Sequence, residues 1–477
     1  MANLPNNAIP ASYLEHNGVA FWMERVGTVK QLVIGSTDSA LLSGFTGSAD
    51  GDSFRAPLTP DNALALRAAL PNLKPTCLGL NASVGFGDRL GLATPGHVAA
   101  LHQVGGRLLP IFAQQSIREM GRCGRTPRQV LDDATWGAFQ GGWTGPVGAD
   151  ADHLHTIADI DRCAEAGYVM YTLDPNDHVN PEAEHASPER CEEMARGLDW
   201  AALDSSYTDF LARYDGKVIS LEGEAIELGE AALVRAMAKY GAALVQTVAM
   251  YRHLVDLGIP FEFEMAVDET DYPTKPAEHV VIVSELLRLG ARPVSFAPRF
   301  VGGFEKGIEY LGSLSELARD FQIHAEIARV LGPYKLSLHS GSDKFSTYPL
   351  IAQATRGVVH LKTAGTSWAE ALRVIARRDP VLFREVLDLS IDQFETNRHS
   401  YHLSCDLARI PGEVADEELD GLLTAVDSRQ VLHVGYGAAL SEFHDRLYAC
   451  WQTYEDDLTR IIAAHFVPHL TPFTRWT

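Results

Sequence analysis

The chain has 477 residues with 40 basic and 62 acidic side chains, which gives a formal charge of −22. Such an acidic chain argues against nucleic-acid binding, which needs clustered Lys and Arg. It does not exclude a small anionic substrate, because a few cations inside a pocket can outweigh the global charge there. We find no signal-peptide pattern and no apolar run long enough to cross a bilayer, so a cytoplasmic protein without a membrane partner is expected. Six cysteines without a Cys-x-x-Cys pair indicate neither a disulfide framework nor a zinc ribbon.

Short β-type runs alternate with helical stretches along the middle of the chain. The predicted strands begin near Thr76, Arg107, Pro146, Tyr168, Phe261, Pro293, Tyr334 and Gly357. Helical periodicity is clearest over residues 225–256, 275–289 and 315–331. Alternating strands and helices pair in parallel, and eight such units close a (β/α)8 TIM barrel of the α/β class. The strand count and the polar strand ends favour this barrel over an open doubly wound sheet.

Three segments lie outside the repeating pattern. Residues 1–75 are predicted to form an N-terminal extension with its own strand-like piece, QLVIG. The barrel is expected over residues 76–376, with a helical insertion after strand four at about 176–258, because this stretch is far longer than an ordinary connection. Residues 377–477 are predicted to be mainly helical, ending in an aromatic-rich helix around 443–466.

Metal-ligand side chains follow several predicted strands. His153 ends the third strand, Glu264 lies near the end of the fifth, His339 ends the seventh and His360 lies in the eighth. Chemistry in such barrels occurs where the strands end, so we expect these side chains to meet at one rim. Imidazole and carboxylate groups suit a divalent cation such as Zn, Mn, Co or Ni. A single such histidine is usually structural, but three histidines and a glutamate together favour a metal site.

Basic side chains follow strands six, seven and eight. They are Arg299, Lys306, Lys344 and Lys362. Lys and Arg usually lie in solvated loops, but in so acidic a chain this grouping predicts an anion-binding pocket. The Gly-rich runs at 84–89 and 301–304 lack the spacing of a Walker or dinucleotide loop. No nucleotide cofactor is therefore expected, and we interpret both runs as tight loops beside a ligand.

Several longer runs resemble the tagaturonate epimerase family, over about residues 75–411. They are SVGFGDRLGLATPGH, AQQSIREM, GADADHLHT, FEFEMAVDETDYPT, APRFVGGFEKGIEYLG and KLSLHSGSDKFSTYP. Enzymes of this family interconvert D-tagaturonate and D-fructuronate and depend on a metal. The resemblance therefore implies a metal-dependent isomerase with a small sugar-acid substrate.

The chain is also similar, in pattern alone, to class II metal-dependent aldolases, which carry an Asp-His pair, a Glu and two later His residues. By that resemblance His153, Glu264, His339 and His360 are metal ligands, and Asp152 is a general acid/base. The candidate catalytic residues are Asp152, Lys362 and Asp343. The candidate substrate-binding residues are Arg299, Lys306, Ser340, Lys344, Asp88, Arg89 and Gln115.

The two sugar acids differ at the carbon β to the ketone, whose C–H bond the carbonyl does not acidify. Because the hydroxyl on that carbon makes a β-hydroxy ketone, we expect retro-aldol cleavage, rotation of the aldehyde and re-formation of the bond. A metal would polarise the ketone, and Asp152 would take the hydroxyl proton. Two other routes stay open, namely transient oxidation by bound NAD and a Schiff base on Lys362.

Three alternative functions fit parts of the same pattern. They are a class II-type sugar aldolase, a ketohexose 4-epimerase and a non-catalytic barrel subunit of a sugar aldolase. The basic loops favour an acidic substrate over a neutral ketohexose, and Glu264 with the two later histidines argues against a non-catalytic barrel. The sequence leaves the identity of the metal and the oligomeric state open.

Overall fold

A computed structural model describes residues 4–363, 365–401 and 403–476. The strands are β1 Ala8–His16, β2 Val19–Val26, β3 Val29–Gly35, β4 Ser48–Asp50, β5 Ser53–Pro57, β6 Ser83–Phe86, β7 Leu109–Ser116, β8 Gly148–Leu154, β9 Met170–Leu173, β10 Lys217–Ser220, β11 Ala225–Leu228, β12 Glu262–Ala266, β13 Ser295–Ala297, β14 Lys335–Leu338 and β15 Val359–Thr363. The α-helices are α1 Ser39–Leu42, α2 Pro60–Ala69, α3 Thr94–Val104, α4 Ile117–Cys123, α5 Pro127–Gln140, α6 Ile157–Ala166, α7 Pro188–Arg196, α8 Tyr207–Tyr214, α9 Glu230–Asp256, α10 Pro276–Arg288, α11 Leu314–Leu331, α12 Tyr348–Thr355, α13 Thr366–Arg378, α14 Pro380–Asp392, α15 Phe394–Asn397, α16 Val426–Val434, α17 Tyr436–Thr453 and α18 Glu455–Leu470.

Eight parallel strands close into a barrel in the order β12-β13-β14-β15-β6-β7-β8-β9. The α/β barrel predicted from the sequence is therefore confirmed. Strand β12 illustrates why these strands suit a barrel wall. Phe263 faces outward and its ring packs against Tyr251 of α9. Glu262 and Glu264 face inward, where their carboxylates contact Leu78, which precedes β6, and His339, which follows β14.

The first barrel strand differs from the prediction. A strand was expected from Thr76, but residues 76–82 cross the floor of the barrel instead. The backbone N–H groups of Leu78 and Gly79 donate to the Glu262 carboxylate at 3.1 and 2.9 Å. This contact spans the barrel, because β12 lies opposite β6 in the strand order. Backbone groups held by a carboxylate cannot pair with a neighbouring strand.

Strand β6 overlaps the first half of the Gly-rich run at 84–89, for which a tight loop is predicted from the sequence. Its residues are buried and pair with β15 and β7. The glycine at position 85 is needed for packing. A Cβ atom there would come within 2.9 Å of Gln114 Cγ on β7.

An insertion, residues 174–229, separates β9 from α9. It contains α7, α8 and the antiparallel β10–β11 hairpin, so the helix predicted from residue 225 begins only at Glu230. The insertion is fixed to the barrel through Lys239 of α9. Its buried ammonium pairs with Glu184 of the insertion at 3.1 Å and with Glu278 of α10 at 3.2 Å.

The two ends of the chain pack outside the barrel. The N-terminal strands form an antiparallel sheet in the order β1-β2-β3-β5-β4, with QLVIG in β3. The aromatic helix predicted around 443–466 is two helices, α17 and α18. Helix α18 packs closely on α3, where a Cβ atom at Gly96 would lie 2.7 Å from Ile462 Cβ. The division into units at residues 75 and 376 stays a prediction.

The described residues carry no disulfide, since the structure leaves all six cysteine thiols free. Within the same residues, no helix combines the length and the apolar character needed to span a bilayer.

Candidate active site

A β-bulge at the end of β8 brings two consecutive side chains to the barrel mouth. Between the pairs made by Ala151 and Leu154, β8 contains one residue more than β9. His153 accommodates the extra residue with a φ of 49°, a left-handed conformation that is uncommon outside glycine. In a regular strand Asp152 and His153 would face opposite sides. The bulge allows both to face the mouth.

The Lys362 ammonium on β15 lies among three buried carboxylates. Its Nζ atom is 2.7 Å from Asp150 Oδ2, 2.8 Å from Asp152 Oδ1 and 2.9 Å from Glu264 Oε1. Burial alone would lower the pKa of Lys362, but the three carboxylates raise it well above its ordinary value. Burial would likewise raise the pKa of Asp152, and Lys362 instead keeps it below its usual range. Asp152 is therefore ionised at neutral pH.

His339 follows β14 and bridges two carboxylates. Its Nε2 atom lies 2.6 Å from Glu264 Oε1, and its Nδ1 atom lies 2.9 Å from Asp268 Oδ1. Burial alone would lower the pKa of His339, but Asp268 and Glu264 raise it to about 9. The surroundings of this imidazole are thus anionic enough to attract a cation.

His153, Asp268 and His339 form a cluster with the spacing of a metal site. One ligand atom from each residue lies within 4.8 Å of the other two. The rings of His153 and His339 meet edge to face, with centroids 5.0 Å apart. His153 Nδ1 contacts Asp174 Oδ2 at 2.9 Å, which leaves Nε2 on the side of Asp152. Two imidazoles and a carboxylate suit a divalent transition metal.

The predicted ligands divide into two groups. His153 and His339 belong to the cluster, and Glu264 contacts His339. His360 lies apart, with Nδ1 2.9 Å from Ser83 Oγ at the start of β6. Two residues along a strand advance about 6.6 Å, so Lys362 occupies the mouth and His360 lies deeper in the barrel. His360 is therefore not part of the cluster, and its role as a ligand stays a prediction.

A cavity of about 600 Å³ opens at the C-terminal ends of the strands. Three predicted substrate-binding residues line it, namely Arg299, Lys306 and Ser340. Lys306 Nζ donates to Ser340 Oγ at 2.7 Å, and Arg299 Nη1 donates to the Asp268 carbonyl at 3.1 Å. Arg118 adds a further cation to the wall. Asp268, Glu269 and Glu305 line the same cavity. We call the three cations the basic wall, and they are the candidates for the expected binding of an anion.

A narrow inner pocket continues from this cavity toward the strand ends. Its lining includes Arg118 and Lys306, which also line the outer cavity, and Asp152, His153 and Lys362, which do not. The basic wall and the metal-type cluster are therefore parts of one continuous space.

Three further predicted substrate-binding residues have structural partners instead. The Asp88 carboxylate accepts backbone N–H groups of the loop that follows it, at 2.9 Å each. Arg89 is buried in an ion pair with Glu119. The Gln115 side chain accepts a hydrogen bond from Arg125 at 3.2 Å. None of the three lines the cavity or the inner pocket.

Lys344 and Asp343 also lie outside the pocket lining. Lys344 Nζ donates to the carbonyls of Glu305 and Ser342 at 2.7 and 3.0 Å, so its charge holds two loops together. Burial lowers the pKa of Lys344 to about 8. Asp343 pairs with Arg429 at 2.9 Å and with His465 at 2.7 Å. The structure therefore gives both residues anchoring contacts.

Asp343, His465 and His469 are a second group with ligand-type spacing. Their polar atoms already have protein partners. His469 Nε2 accepts the Asp343 backbone N–H at 3.0 Å, and His469 Nδ1 contacts the His465 carbonyl. We interpret this group as a hydrogen-bond network that fixes α18.

Two comparisons of the whole sequence agree on a family. A model of the tagaturonate epimerase family matches residues 10–473. The tagaturonate/fructuronate epimerase of Thermotoga maritima is 43% identical over 466 residues, which cover 96% of this chain and 95% of that protein.

This chain belongs to the tagaturonate epimerase family.

Solved structures of the family have the same fold. The glycerol-bound crystal structure of fructuronate-tagaturonate epimerase from Cohnella laeviribosi matches with a TM-score of 0.92 and 34% identity, covering 98% of this chain and 96% of that one. The native crystal structure of that protein gives the same values. Membership of the tagaturonate epimerase family makes the chain an isomerase.

In this family member, several residues in or beside the pocket do not follow from the sequence patterns. Asp268 and Arg118 lie inside the runs FEFEMAVDETDYPT and AQQSIREM, but just beyond the ends of their strands. Asp150 does not line the pocket but pairs with Lys362, and its spacing of two residues from Asp152 predicts a shared face. Tyr401 comes from the C-terminal region, and no local pattern connects it with the barrel.

Proposed function

We propose that the chain is a divalent-metal-dependent epimerase that interconverts D-tagaturonate and D-fructuronate by retro-aldol and aldol chemistry. The observation that carries the proposal is the convergence of His153, His339 and Asp268 in a continuous pocket with Asp152 and a basic wall. The name of the Thermotoga maritima relative supplies the substrate pair. The free cysteines support a cytoplasmic location for this reaction.

The metal would be held by His153, His339 and Asp268, with Glu264 beside them. Glu264 Oε2 is buried and has no hydrogen-bond partner among the described residues. Such an atom calls for an ion, a water or a ligand. Zn, Mn, Co or Ni fits this donor set. When bound, the ion would supply Lewis-acid polarisation of the substrate ketone.

The substrate carboxylate would bind at the basic wall. Arg299, Lys306 and Arg118 line the outer cavity, and charge-assisted hydrogen bonds from such groups are stronger than neutral ones. A neutral ketohexose cannot make them, so the acid is the preferred substrate class.

Asp152 would act as the base and then as the acid. It accepts the proton of the β-hydroxyl group, and the O–H electron pair becomes the C=O bond of an aldehyde. The bond between the α and β carbons breaks, and its electron pair passes to the ketone fragment as an enolate. The aldehyde rotates, the enolate attacks its other face, and Asp152 returns the proton. No atom is gained or lost, and only the configuration at the β carbon changes.

Two neighbours prepare Asp152 for this role. Lys362 keeps the carboxylate ionised, as its 2.8 Å contact and the lowered pKa of Asp152 indicate. Gln114 Nε2 donates to Asp152 Oδ2 at 2.7 Å and so fixes its orientation. A Schiff base on Lys362 is disfavoured, because a nucleophilic amine must be neutral and the surrounding carboxylates raise the pKa of Lys362.

The test is a metal-replete assay of the purified protein on both 5-keto-hexuronates and on the ketohexoses fructose and tagatose, followed by NMR. We expect interconversion of the two acids, slower or no conversion of the ketohexoses, and loss of activity after chelation. Accumulated fragments would instead identify an aldolase. Full activity in metal-free protein would contradict the metal requirement, and conversion of neither acid would contradict the substrate assignment.

A further inference from the structure

We infer that Glu119 is a specificity-determining residue that accepts a hydrogen bond from one substrate hydroxyl group. Arg89 and the C-terminal helices behind it act as positioning elements for this carboxylate. The inference rests on the proposed function and deepens it, because it says how the inner pocket recognises the substrate.

Glu119 lies on α4, directly after β7, and lines the inner pocket. Its side chain is only 6% exposed. Oε1 accepts hydrogen bonds from Arg89, from Nε at 3.0 Å and also from Nη2. Oε2 is buried and has no hydrogen-bond partner among the described residues. Leaving a buried carboxylate oxygen without a donor is costly, so a donor from the pocket contents should complete it.

Arg89 is held rigidly from behind. Its side chain is 1% exposed, and Nη1 donates to the carbonyl of His433 on α16 at 3.1 Å. Its guanidinium also stacks on the ring of Tyr436 on α17, 3.8 Å from the ring centroid. These contacts fix Arg89, and Arg89 fixes Glu119. The acceptor atom is therefore in place before a ligand binds.

The polarity of this wall favours a hydroxyl group over other ligands. Gln114 Oε1 is a second buried acceptor without a partner among the described residues, and Gln114 also lines the inner pocket. Arg118, the neighbouring cation, donates to Glu269 at 3.3 Å instead. Acceptors repel a carboxylate and attract O–H donors. The acid group of the substrate would thus face the outer cavity, and its hydroxyl groups would face Glu119.

The Glu119→Gln variant tests this assignment while preserving shape. The amide oxygen of Gln would face the Arg89 donors, so its NH2 group would face the pocket and replace an acceptor with a donor. Binding to metal-loaded protein would be measured by calorimetry, for D-tagaturonate and for analogues that each lack one hydroxyl group. We expect the wild type to bind one analogue roughly 10- to 100-fold more weakly than the parent sugar acid. The variant should bind that analogue and the parent about equally.

Glu269→Gln is the matched control, because Glu269 also lines the inner pocket but pairs with Arg118. It should keep the wild-type penalty for that analogue. A double-mutant cycle compares the effect on binding of losing one substrate hydroxyl group in the wild type and in Glu119→Gln. If this effect is the same in both proteins for every analogue, Oε2 binds only water and the inference is wrong. An unchanged affinity with a large loss of kcat would also overturn it, because that result indicates a proton-transfer role.

Two safeguards keep the result interpretable. If Glu119→Gln does not fold, Glu119→Asp retains the charge and withdraws the acceptor by one methylene, so it should weaken binding of the parent but not of the same analogue. Failure of the wild type to bind or convert either sugar acid would count against the proposed function itself. The contribution of Glu119 to binding a hydroxyl group could still be measured with the ketohexoses.

Discussion

The Nδ1 atom of His153 and the Oδ2 atom of Asp174 lie 2.9 Å apart, so the opposite ring nitrogen of His153 is directed toward Asp152 and the metal-type cluster. Asp174 is anchored in turn, because its Oδ1 atom accepts the backbone N–H of Asn176 at 3.0 Å. A carboxylate behind a ligand histidine fixes its tautomer and ring orientation. The first residues of the insertion thereby influence the chemistry at the barrel mouth.

Replacing Asp174 with Asn should lower metal affinity roughly 10- to 100-fold. Activity at saturating metal should recover most of the loss, because the ligands themselves remain. The measurement is activity as a function of free metal concentration. Asp177→Asn is the control, since Asp177 is 83% exposed and close to His155 rather than His153. A wild-type metal titration for Asp174→Asn would contradict this role.

Asp268→Asn and His360→Asn distinguish the metal ligands proposed from the structure from those expected from the sequence. Asp268→Asn should reduce the copurified metal well below one ion per chain and lower kcat/KM by at least about 100-fold, as expected when Lewis-acid polarisation is lost. His360→Asn should retain the metal, because His360 contacts Ser83 instead. Elemental analysis of both purified variants measures the metal content per chain and so decides between the two ligand sets. Metal loss from His360→Asn alone would restore the sequence-based assignment.

Asp152→Asn should lower kcat by about 10²- to 10⁴-fold, the usual contribution of a general acid or base. Metal content and substrate affinity should change little, because the amide keeps the shape of the carboxylate. Asp150→Asn is a suitable comparison. Asp150 contacts the same Lys362 ammonium but does not line the pocket, so it should lose much less kcat. Equal losses in the two variants would argue against proton transfer by Asp152.

Borohydride treatment in the presence of substrate should leave Lys362 unmodified. The three carboxylates keep the ammonium protonated, and a protonated amine does not form a Schiff base. Intact-protein mass spectrometry gives the readout, with a class I-type aldolase as a positive control. A substrate-dependent mass increase on the peptide that contains Lys362 would instead favour the covalent route.

The free energy of unfolding should fall as the pH drops from 6.5 toward 4, in part because of His97. This residue is buried, stacks on Phe86 with centroids 4.6 Å apart, and contacts Ser367 Oγ at 2.9 Å. Burial lowers its pKa from 6.5 to about 4, so between these values the unfolded chain binds a proton that the folded protein does not. The stabilisation is complete above pH 6.5 and is lost as the pH falls.

Since one pKa unit corresponds to about 1.4 kcal/mol, His97 alone should contribute about 3 kcal/mol to this loss. Denaturant unfolding of the wild type and His97→Gln at several pH values measures it, and the variant should show the shallower pH dependence. Parallel curves would mean that His97 titrates normally.

The barrel and the location of its chemistry were predictable because they depend on periodicity. Alternating β and α segments and polar residues at strand ends are local signals. They predict that Asp152, His153, Glu264 and His339 lie at one rim, and the structure places these residues close together. The floor of the barrel was not predictable in the same way. The apolar run around Leu78 has the composition of a strand, and only the distant Glu262 carboxylate makes it a floor.

Other features of the site depend on long-range contacts or on an irregular backbone. The bulge at His153 adds one residue relative to β9, and no composition signal marks it. Asp268 lies beyond the regular strand, so strand periodicity does not place it. Glu119 and Arg89 were in recognisable runs, but the significance of their pairing depends on Tyr436, which lies more than three hundred positions later in the chain.

The floor formed around Leu78, Ile111 and Met170 has a kinetic consequence for a reaction that breaks a carbon–carbon bond. Under the proposed retro-aldol route, an aldehyde fragment would leave through the mouth, past the cations that we propose bind its carboxylate. Such confinement would favour recombination of the two fragments over their release, which an epimerase using this route requires and a lyase does not.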